Sequence, residues 1–519
     1  MKAALISNFT LSGLDKSLRI AAKDYGIDAD IYIGEYGQWQ QEILGEKLYK
    51  FDPDIVYVVV DFEDIGSQIT MIDQLVIRTS AKIVVCNQVI DSKSDSFPHD
   101  VLIKRFNDSS QVFVFDFDKW LHNAGKKKYW NTKYKDLGDM RLAPHAFDLF
   151  AKELVAYFIP IAGKTKKCLV LDLDNTLWGG IVGEDGAKGV VINTSGKGRH
   201  FYEFQKYIKT LQENGIILAI NSNNNEGDAK EVFKRHKYMM LKEDDFAAER
   251  INWNNKAQNM REIAQELNIG LDSMVFVDDD PHNRELVRTS LPEVTVIDLP
   301  KDPSGYVDVL ASYKGFTRFH TTAEDRKRAQ MYSDEKKRRK FKEEAIDMES
   351  FLRGLDIIIR IHELSDEHIQ RATQLTQKTN QFNLTTRRYQ EEDIQDMLSN
   401  GARAWILDVK DKFGEYGLAG LAIIQDREEF WEVDTLLLSC RVLGKRVEEE
   451  FFGFVLDQLK KQNSKKVIAK YFPTNKNSQV KFFYRVFDFK KLKSGHKDTW
   501  ELDLKNFSFH SLDFINTIT

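Results

Sequence analysis

Residues 167–177 read KCLVLDLDNTL, and this stretch decides how the middle of the chain is built. Four apolar residues, 168–171, form a short buried-looking run. Asp172, Asp174 and Thr176 follow it at alternate positions. Alternate side chains of an extended segment point the same way, so the two carboxylates can converge at one strand end. In an open parallel sheet that end is where ligands bind. Paired carboxylates repel, and one or both will take a proton or a cation. A magnesium ion satisfies them with oxygen ligands and also neutralises phosphate.

Working outward, the run 215–221 ends at Ser222, and Asn252-Trp253 lead to Lys256. The run 273–277 ends at Asp278, Asp279 and Asp280. Apolar runs 168–171, 216–220, 274–277 and 294–297 alternate with the helical stretches 199–213 and 257–267. That rhythm predicts βαβ units, so a hydroxyl, an amine and further carboxylates all fall at ends of parallel strands.

This set resembles the haloacid dehalogenase superfamily of phosphoryl-transfer enzymes. The resemblance implies Asp172 as nucleophile and Asp174 as general acid and base, with the Asp174 backbone carbonyl also a magnesium ligand. It implies that Ser222 holds a phosphoryl oxygen, with Thr176 and Asn223 beside the substrate, and that Lys256 stabilises the charged intermediate. Asp278 binds the metal with Asp279 beside it, so the expected metal set is Asp172, Asp174, Asp278 and Asp279 with Mg2+. Forming an acyl phosphate on a carboxylate splits one displacement into two steps.

The strings DLDNTLWGGIVGEDG (172–186), FAAERINWNNKAQNM (246–260), VFVDDDPHNRELVR (275–288) and QLTQKTNQFNLTTRRY (374–389) are similar to the FkbH-like family, a subgroup of that superfamily (subfamily IIIC). The resemblance spans essentially the whole chain. It implies removal of phosphate from an acyl phosphate, 1,3-bisphosphoglycerate. It also implies transfer of the glyceryl group to the phosphopantetheine thiol of an acyl carrier protein. One departure is the second motif, where Ser222-Asn223-Asn224 replaces the expected Ser-Lys-Asn. The segment 179–194 is short, so a modest flap rather than a large cap is expected over the site.

Residues 355–505 change character, with strand-like runs at 357–361, 404–409, 418–424, 430–438 and 467–471 and a helical stretch at 447–461. VDTLLLSCRVLGKR (433–446) and NKNSQVKFFYRVFDF (475–489) resemble the Gcn5-related acyltransferase fold. The resemblance puts Arg441 and Gly444 on the loop that faces a pyrophosphate at a helix N-terminus. Arg446 stands where a small residue is usual, which fits a carrier-borne pantetheine arm better than coenzyme A. Cys440 directly precedes that loop and is the candidate acyl-accepting nucleophile; Cys86 and Cys168 sit in strand-like runs and read as packing. Asn380 and Asn383, in the polar string 379–383, are placed beside the acyl or pantetheine site.

Runs 3–6, 31–33, 55–60, 83–85 and 112–115 predict another α/β domain, similar to SGNH hydrolases. There Phe9 stands where the nucleophile belongs, and Leu142, three residues after Asp139, replaces the histidine, with His145 close by. A non-hydrolytic domain follows, with Asn8 and Asn87 lining a residual pocket.

The composition agrees with a multidomain globular chain. Its 519 residues are 42% hydrophobic and 30% charged, which excludes a fully disordered chain. Net charge is −5, from 75 basic and 80 acidic residues, which argues against a generally basic nucleic-acid binder. The separated cysteines give neither a disulfide framework nor a metal motif. No long apolar run predicts a membrane span, no secretory signal opens the sequence, and a cytoplasmic setting is expected.

The expected architecture is therefore α/β: a Rossmann-like haloacid dehalogenase core with an SGNH-like N-terminal domain and an α+β acyltransferase-like C-terminal domain. The expected segments are 1–160, 164–320, a charged, solvated helical connector at 321–350, and 351–519. The competing readings are a phosphatase of a small phosphate ester without acyl transfer, and a docking scaffold for a carrier protein.

Overall fold

The β-branched runs up to residue 298 become parallel strands in a computed structural model. The structure describes residues 1–60, 65–87, 89, 98–107, 109–130, 138–319, 323–463, 465–492 and 498–519. The chain divides into two units, Met1–Ala329 and Gln330–Thr519.

The first unit contains two sheets. One is built from β1 (Lys2–Ser7), β2 (Asp30–Ile33), β3 (Ile55–Val59), β4 (Lys82–Cys86) and β5 (Val112–Phe115), in the order β2-β1-β3-β4-β5. All its pairings are parallel. Alternation along the strands feeds a core on each face: Leu5, Tyr57 and Val59 on one, Ile6, Val56 and Val58 on the other.

Among the described residues, the positions that the SGNH-like expectation singles out are taken up by packing and local hydrogen bonds. Phe9 is buried, its ring edge-on to Trp130 at 5.8 Å, and Leu142 is buried in the same core. His145 lies against the Tyr129 ring, 5.2 Å between centroids. Asn87 is engaged structurally: its carbonyl accepts from Phe117 and Asp118 N–H groups, and its amide donates to Asp116 at 3.0 Å.

The other sheet is built from β6 (Cys168–Leu171), β7 (Ile217–Ser222), β8 (Phe246–Ile251), β9 (Met274–Asp278) and β10 (Thr295–Asp298). Its order β10-β9-β6-β7-β8 puts β6 at the centre, and every pairing is parallel. All residues of β6 are buried, as a central strand covered on both faces requires. Asn175 then takes a left-handed conformation (φ 52°) and turns the chain into the flap. The flap holds the helix Val182–Gly189, and its base is closed by reciprocal hydrogen bonds between Gly179 and Val191.

The second unit carries β11 (Ile357–Glu363), β12 (Phe382–Asn383), β13 (Arg403–Asp411), β14 (Gly414–Asp426), β15 (Phe430–Leu438), β16 (Lys466–Tyr471), β17 (Lys490–Lys491), β18 (Asp498–Asp503) and β19 (Ile515–Ile518). They form one nine-stranded mixed sheet in the order β17-β18-β16-β15-β14-β13-β11-β19, with β12 paired to β15. Parallel β15 and β16 pair only from Phe430↔Lys466 to Val433↔Ala469. Next to the last of these pairs, Ile424 faces Val433 and Ile423 faces Thr435, so Asp434 is an extra, bulged residue.

Beyond the bulge the gap is filled by the chain itself. Phe382 and Asn383 pair with Leu438 and Leu437 of β15. Leu384 donates to the Leu436 carbonyl and accepts from Phe472 N–H just past β16.

The expected connector differs from a solvated helix. Within the helix Ala323–Glu344, Arg338 is 4% exposed and forms a two-pronged ion pair with buried Asp411, at 2.6 and 2.8 Å. Tyr416 OH also donates to Asp411, at 2.7 Å. Charge density along a helix is blind to one arginine that finds a buried carboxylate far along the chain. Among the described residues no helix is long and apolar enough to cross a membrane.

Candidate active site

The carboxyl end of the sheet centred on β6 gathers the predicted polar residues because each follows or ends a neighbouring strand. Asp172 comes directly after β6, Ser222 ends β7, Asp278 ends β9, and Lys256 opens the helix Lys256–Leu267 after β8. All four side chains are buried. Lys256 Nζ donates to Asp172 Oδ1 at 2.5 Å, to Asp278 Oδ2 at 2.6 Å and to the Asn221 carbonyl at 3.1 Å. Burial works against its charge, but the Asp172 and Asp278 carboxylates outweigh it and hold the ammonium above its usual pKa.

The acids carry the strain of this arrangement. Burial, followed by the charge of Asp172, pushes Asp278 up to about 6. Burial, then Asp172 and Asp278, pushes Asp279 up to about 7. Asp172, Asp278 and Asp279 each bring an oxygen within 4.8 Å of the others. A cluster of hard oxygen donors with surplus negative charge fits a magnesium ion. The Asp174 carboxylate stands outside that trio, so only its backbone carbonyl is left for the expected fourth ligand.

Asp174 is instead fixed by donors. Trp178 Nε1 (2.8 Å) and Val182 N–H (3.1 Å) reach its Oδ1, and Asn224 Nδ2 (3.0 Å) reaches its Oδ2. Asn224 Nδ2 also lies 3.1 Å from Ser222 Oγ, tying Asp174 to Ser222. The flap thus contributes to the site through Val182. Thr176 is fully buried and accepts from Asp279 N–H at 3.1 Å, so it braces the loop after β9.

Several contributors escape motif reading. Asn224, not the exposed Asn223, turns inward. Arg284 is buried and donates to the carbonyls of Asp278 (2.8 Å) and Asp279 (2.7 Å), fixing the loop after β9. The run DDDPHNR shows an arginine one helical turn beyond the acids, but gives no sign that it returns to their backbone.

In the second unit, Cys440 is exposed, whereas Cys86 and Cys168 are buried. It opens the short turn Cys440–Val442 after β15. Arg441 Nε donates to Ser439 Oγ at 3.2 Å, and Lys445 Nζ to the Arg441 carbonyl at 3.0 Å. Gly444 (φ 75°) and Arg446 (φ 61°) are left-handed and lead into the helix Val447–Gln462. Its first turn holds Glu448, Glu449 and Glu450. Burial pushes the Glu448 carboxyl up to about 7, Glu449 pairs with Arg446, and buried Glu450 accepts from Ser511, Leu512 and Thr517.

Asn380 and Asn383 serve the inserted segment. Asn380 accepts from Arg388, and fully buried Asn383 accepts from Thr386 N–H at 2.8 Å. Arg387 pairs with buried Asp434, whose other oxygen accepts from Tyr389 OH at 2.7 Å.

The chain is similar to a solved structure that contains a phosphatase domain. The N-terminal part of BF1531 from Bacteroides fragilis, a structure containing a phosphatase domain complexed with Mg, matches with TM-score 0.56 and 29% identity. The match covers 62% of this chain and 94% of that one. The ribosomal-protein-S18-alanine N-acetyltransferase of Escherichia coli also matches, with TM-score 0.23 and 13% identity over 29% of this chain and 99% of its own. So does an acetyltransferase of the GNAT family from Staphylococcus aureus, with TM-score 0.23 and 12% identity over 28% and 99%. No family model matches the chain, and no curated protein matches it.

Proposed function

We propose that the chain is a magnesium-dependent phosphatase that works through an aspartyl-phosphate on Asp172. The observation that carries this is the convergence of Asp172, Asp278 and Asp279 around the buried ammonium of Lys256. Lys256 engages Oδ1 of Asp172 and leaves Oδ2 to attack phosphorus. As that P–O bond forms, the bond to the leaving oxygen breaks and Asp174 supplies its proton. Asp174 then takes a proton from water, the water attacks the aspartyl-phosphate, and Asp172 is regenerated. Ser222 and Lys256 hold the phosphoryl oxygens through both steps. A magnesium ion held by Asp172, Asp278 and Asp279 supplies charge neutralisation at the phosphoryl group. The test is phosphate release from a panel of acyl phosphates and phosphate esters with and without magnesium. Wild-type turnover that Asp172→Asn abolishes is expected; turnover that survives the substitution rejects the mechanism.

A second activity is favoured by the exposure of Cys440 at the end of β15. Its thiolate attacks the carbonyl carbon of an acyl phosphate; a C–S bond forms, the C–O bond breaks, and phosphate leaves. The thiol of an acyl carrier protein then takes the acyl group and returns its proton to Cys440. The FkbH-like resemblance makes 1,3-bisphosphoglycerate the donor: attack at its acyl carbon carries over a 3-phosphoglyceryl group, and hydrolysis of the remaining phosphate ester, releasing a second phosphate, leaves glyceryl. Arg446, where a small residue is usual in the Gcn5-related loop, favours a carrier-borne pantetheine arm over coenzyme A. Intact-mass spectrometry with magnesium, donor and pantetheinylated carrier tests it. An adduct mapping to Cys440 and then to the carrier is expected; phosphate release with no adduct on either protein leaves the phosphatase alone.

A further inference from the structure

We propose that Trp253 is a stacking platform that selects phosphate substrates whose leaving group is a ring with a flat carbon face, aryl or sugar. This rests on the phosphatase reading of the Asp172 site. Trp253 is 72% exposed, yet its loop is held by several hydrogen bonds. Asn252 N–H donates to the Ser222 carbonyl at 3.1 Å. The Asn252 side-chain oxygen accepts from Asn254 N–H at 2.9 Å and from Asn259 Nδ2 at 3.0 Å. Asn259, fully buried, also donates to Asn221 Oδ1 at 3.0 Å, and Asn221 Nδ2 donates to the Lys256 carbonyl at 3.0 Å. This amide ladder fixes Trp253 and Lys256 in one frame.

The indole is tied to the loop that follows β7. Its N–H donates to Asn225 Oδ1 at 3.2 Å, and Asn225 follows Asn224, which touches Asp174 and Ser222. On the flap side, Ile181 is 42% exposed and precedes Val182, whose N–H reaches Asp174. Ile181 is thus the chain neighbour of one donor to Asp174, and Trp253 is bonded to the chain neighbour of another. With the indole N–H already used, the ring offers its face. An aromatic face prefers another ring or the C–H face of a sugar. Holding it rigid removes the ordering cost that a free loop imposes on binding. A glyceryl group is too small and flexible to cover it, so this inference separates the phosphoryl substrate from the glyceryl donor considered for Cys440.

The experiment uses the full chain with magnesium and three probes: phenyl phosphate, glucose 1-phosphate and glycerol 3-phosphate. Equilibrium dialysis measures binding, and phosphate release measures turnover, for the wild-type chain, Trp253→Ala and Trp253→Phe. The expected result is a ring preference in the wild-type chain that falls about tenfold in Trp253→Ala and is largely restored by Trp253→Phe. Whichever ring probe loses more names the source of the ring. Equal binding of the three probes by the wild-type chain, no binding of any, or a ring preference unchanged in Trp253→Ala overturns the proposal. Ring-selective binding without phosphate release supports the role of Trp253 and rejects the phosphatase reading instead.

Discussion

Lys256 Nζ sits 2.5 Å from Asp172 and 2.6 Å from Asp278, so one buried ammonium holds together two carboxylates from neighbouring strand ends. Removing it leaves two acids facing each other out of water. Lys256→Met is expected to lower folding stability by about 3–5 kcal/mol. Added magnesium should recover part of the loss, because a divalent cation meets the same charge. Denaturant titration with and without magnesium checks both parts.

In the proposed mechanism Asn224 acts through Asp174, to whose Oδ2 it donates. Asn224→Ala is expected to lower kcat by roughly ten- to a hundredfold, below the full contribution of about 10²–10⁴ for a general acid–base group. KM should change little. A loss confined to KM would assign Asn224 to substrate binding instead.

Arg338 and Asp411 are buried together, and neither has water as an alternative partner. Arg338→Met alone should cost about 3–5 kcal/mol, since it leaves Asp411 uncompensated. Replacing Asp411 with Asn in the same chain should return much of that. A double-mutant cycle by chemical denaturation measures the coupling.

Glu448 gives a pH signature. Burial pushes its carboxyl up to about 7, so between its unfolded value near 4.5 and about 7 the folded chain binds more protons than the unfolded one. Its contribution therefore lowers stability as pH rises through that window, and the loss is complete above it. Glu448→Gln should raise Tm relative to the wild type, and the gap should widen from pH 5 to pH 8. Thermal melts across that range read it out.

Iodoacetamide on the native chain should alkylate Cys440 and spare Cys86 and Cys168, which burial protects and whose thiols it pushes above their usual pKa. Peptide mapping before and after denaturation gives the comparison.

Much of the site was legible because it sits at strand ends. A run such as 168–171 announces the strand, and whatever follows must emerge at the carboxyl edge, so Asp172, Ser222 and Asp278 could be placed from spacing alone. Choosing between Asn223 and Asn224 could not, because which of two adjacent amides turns inward depends on the backbone angles of a single turn. The Arg338–Asp411 pair was hidden for a related reason: its partners lie 73 residues apart on elements that carry no shared pattern. Asn380 and Asn383 were noticed as an unusual polar string, but their service to an inserted strand depends on pairing with residues more than 50 positions later.

The insertion of Phe382–Asn383 beside β15 means that the second unit's sheet is stitched across its centre by a thread from elsewhere in the chain. The stitch joins β15 to the end of β16 through the amides of Leu384 and Phe472. Beyond Val433↔Ala469 the two strands share no direct pairing. The sheet therefore has a built-in seam. The strands on either side can part there as separate cooperative blocks, and the Leu384 and Phe472 amides are the sentinels whose hydrogen exchange would register the first opening.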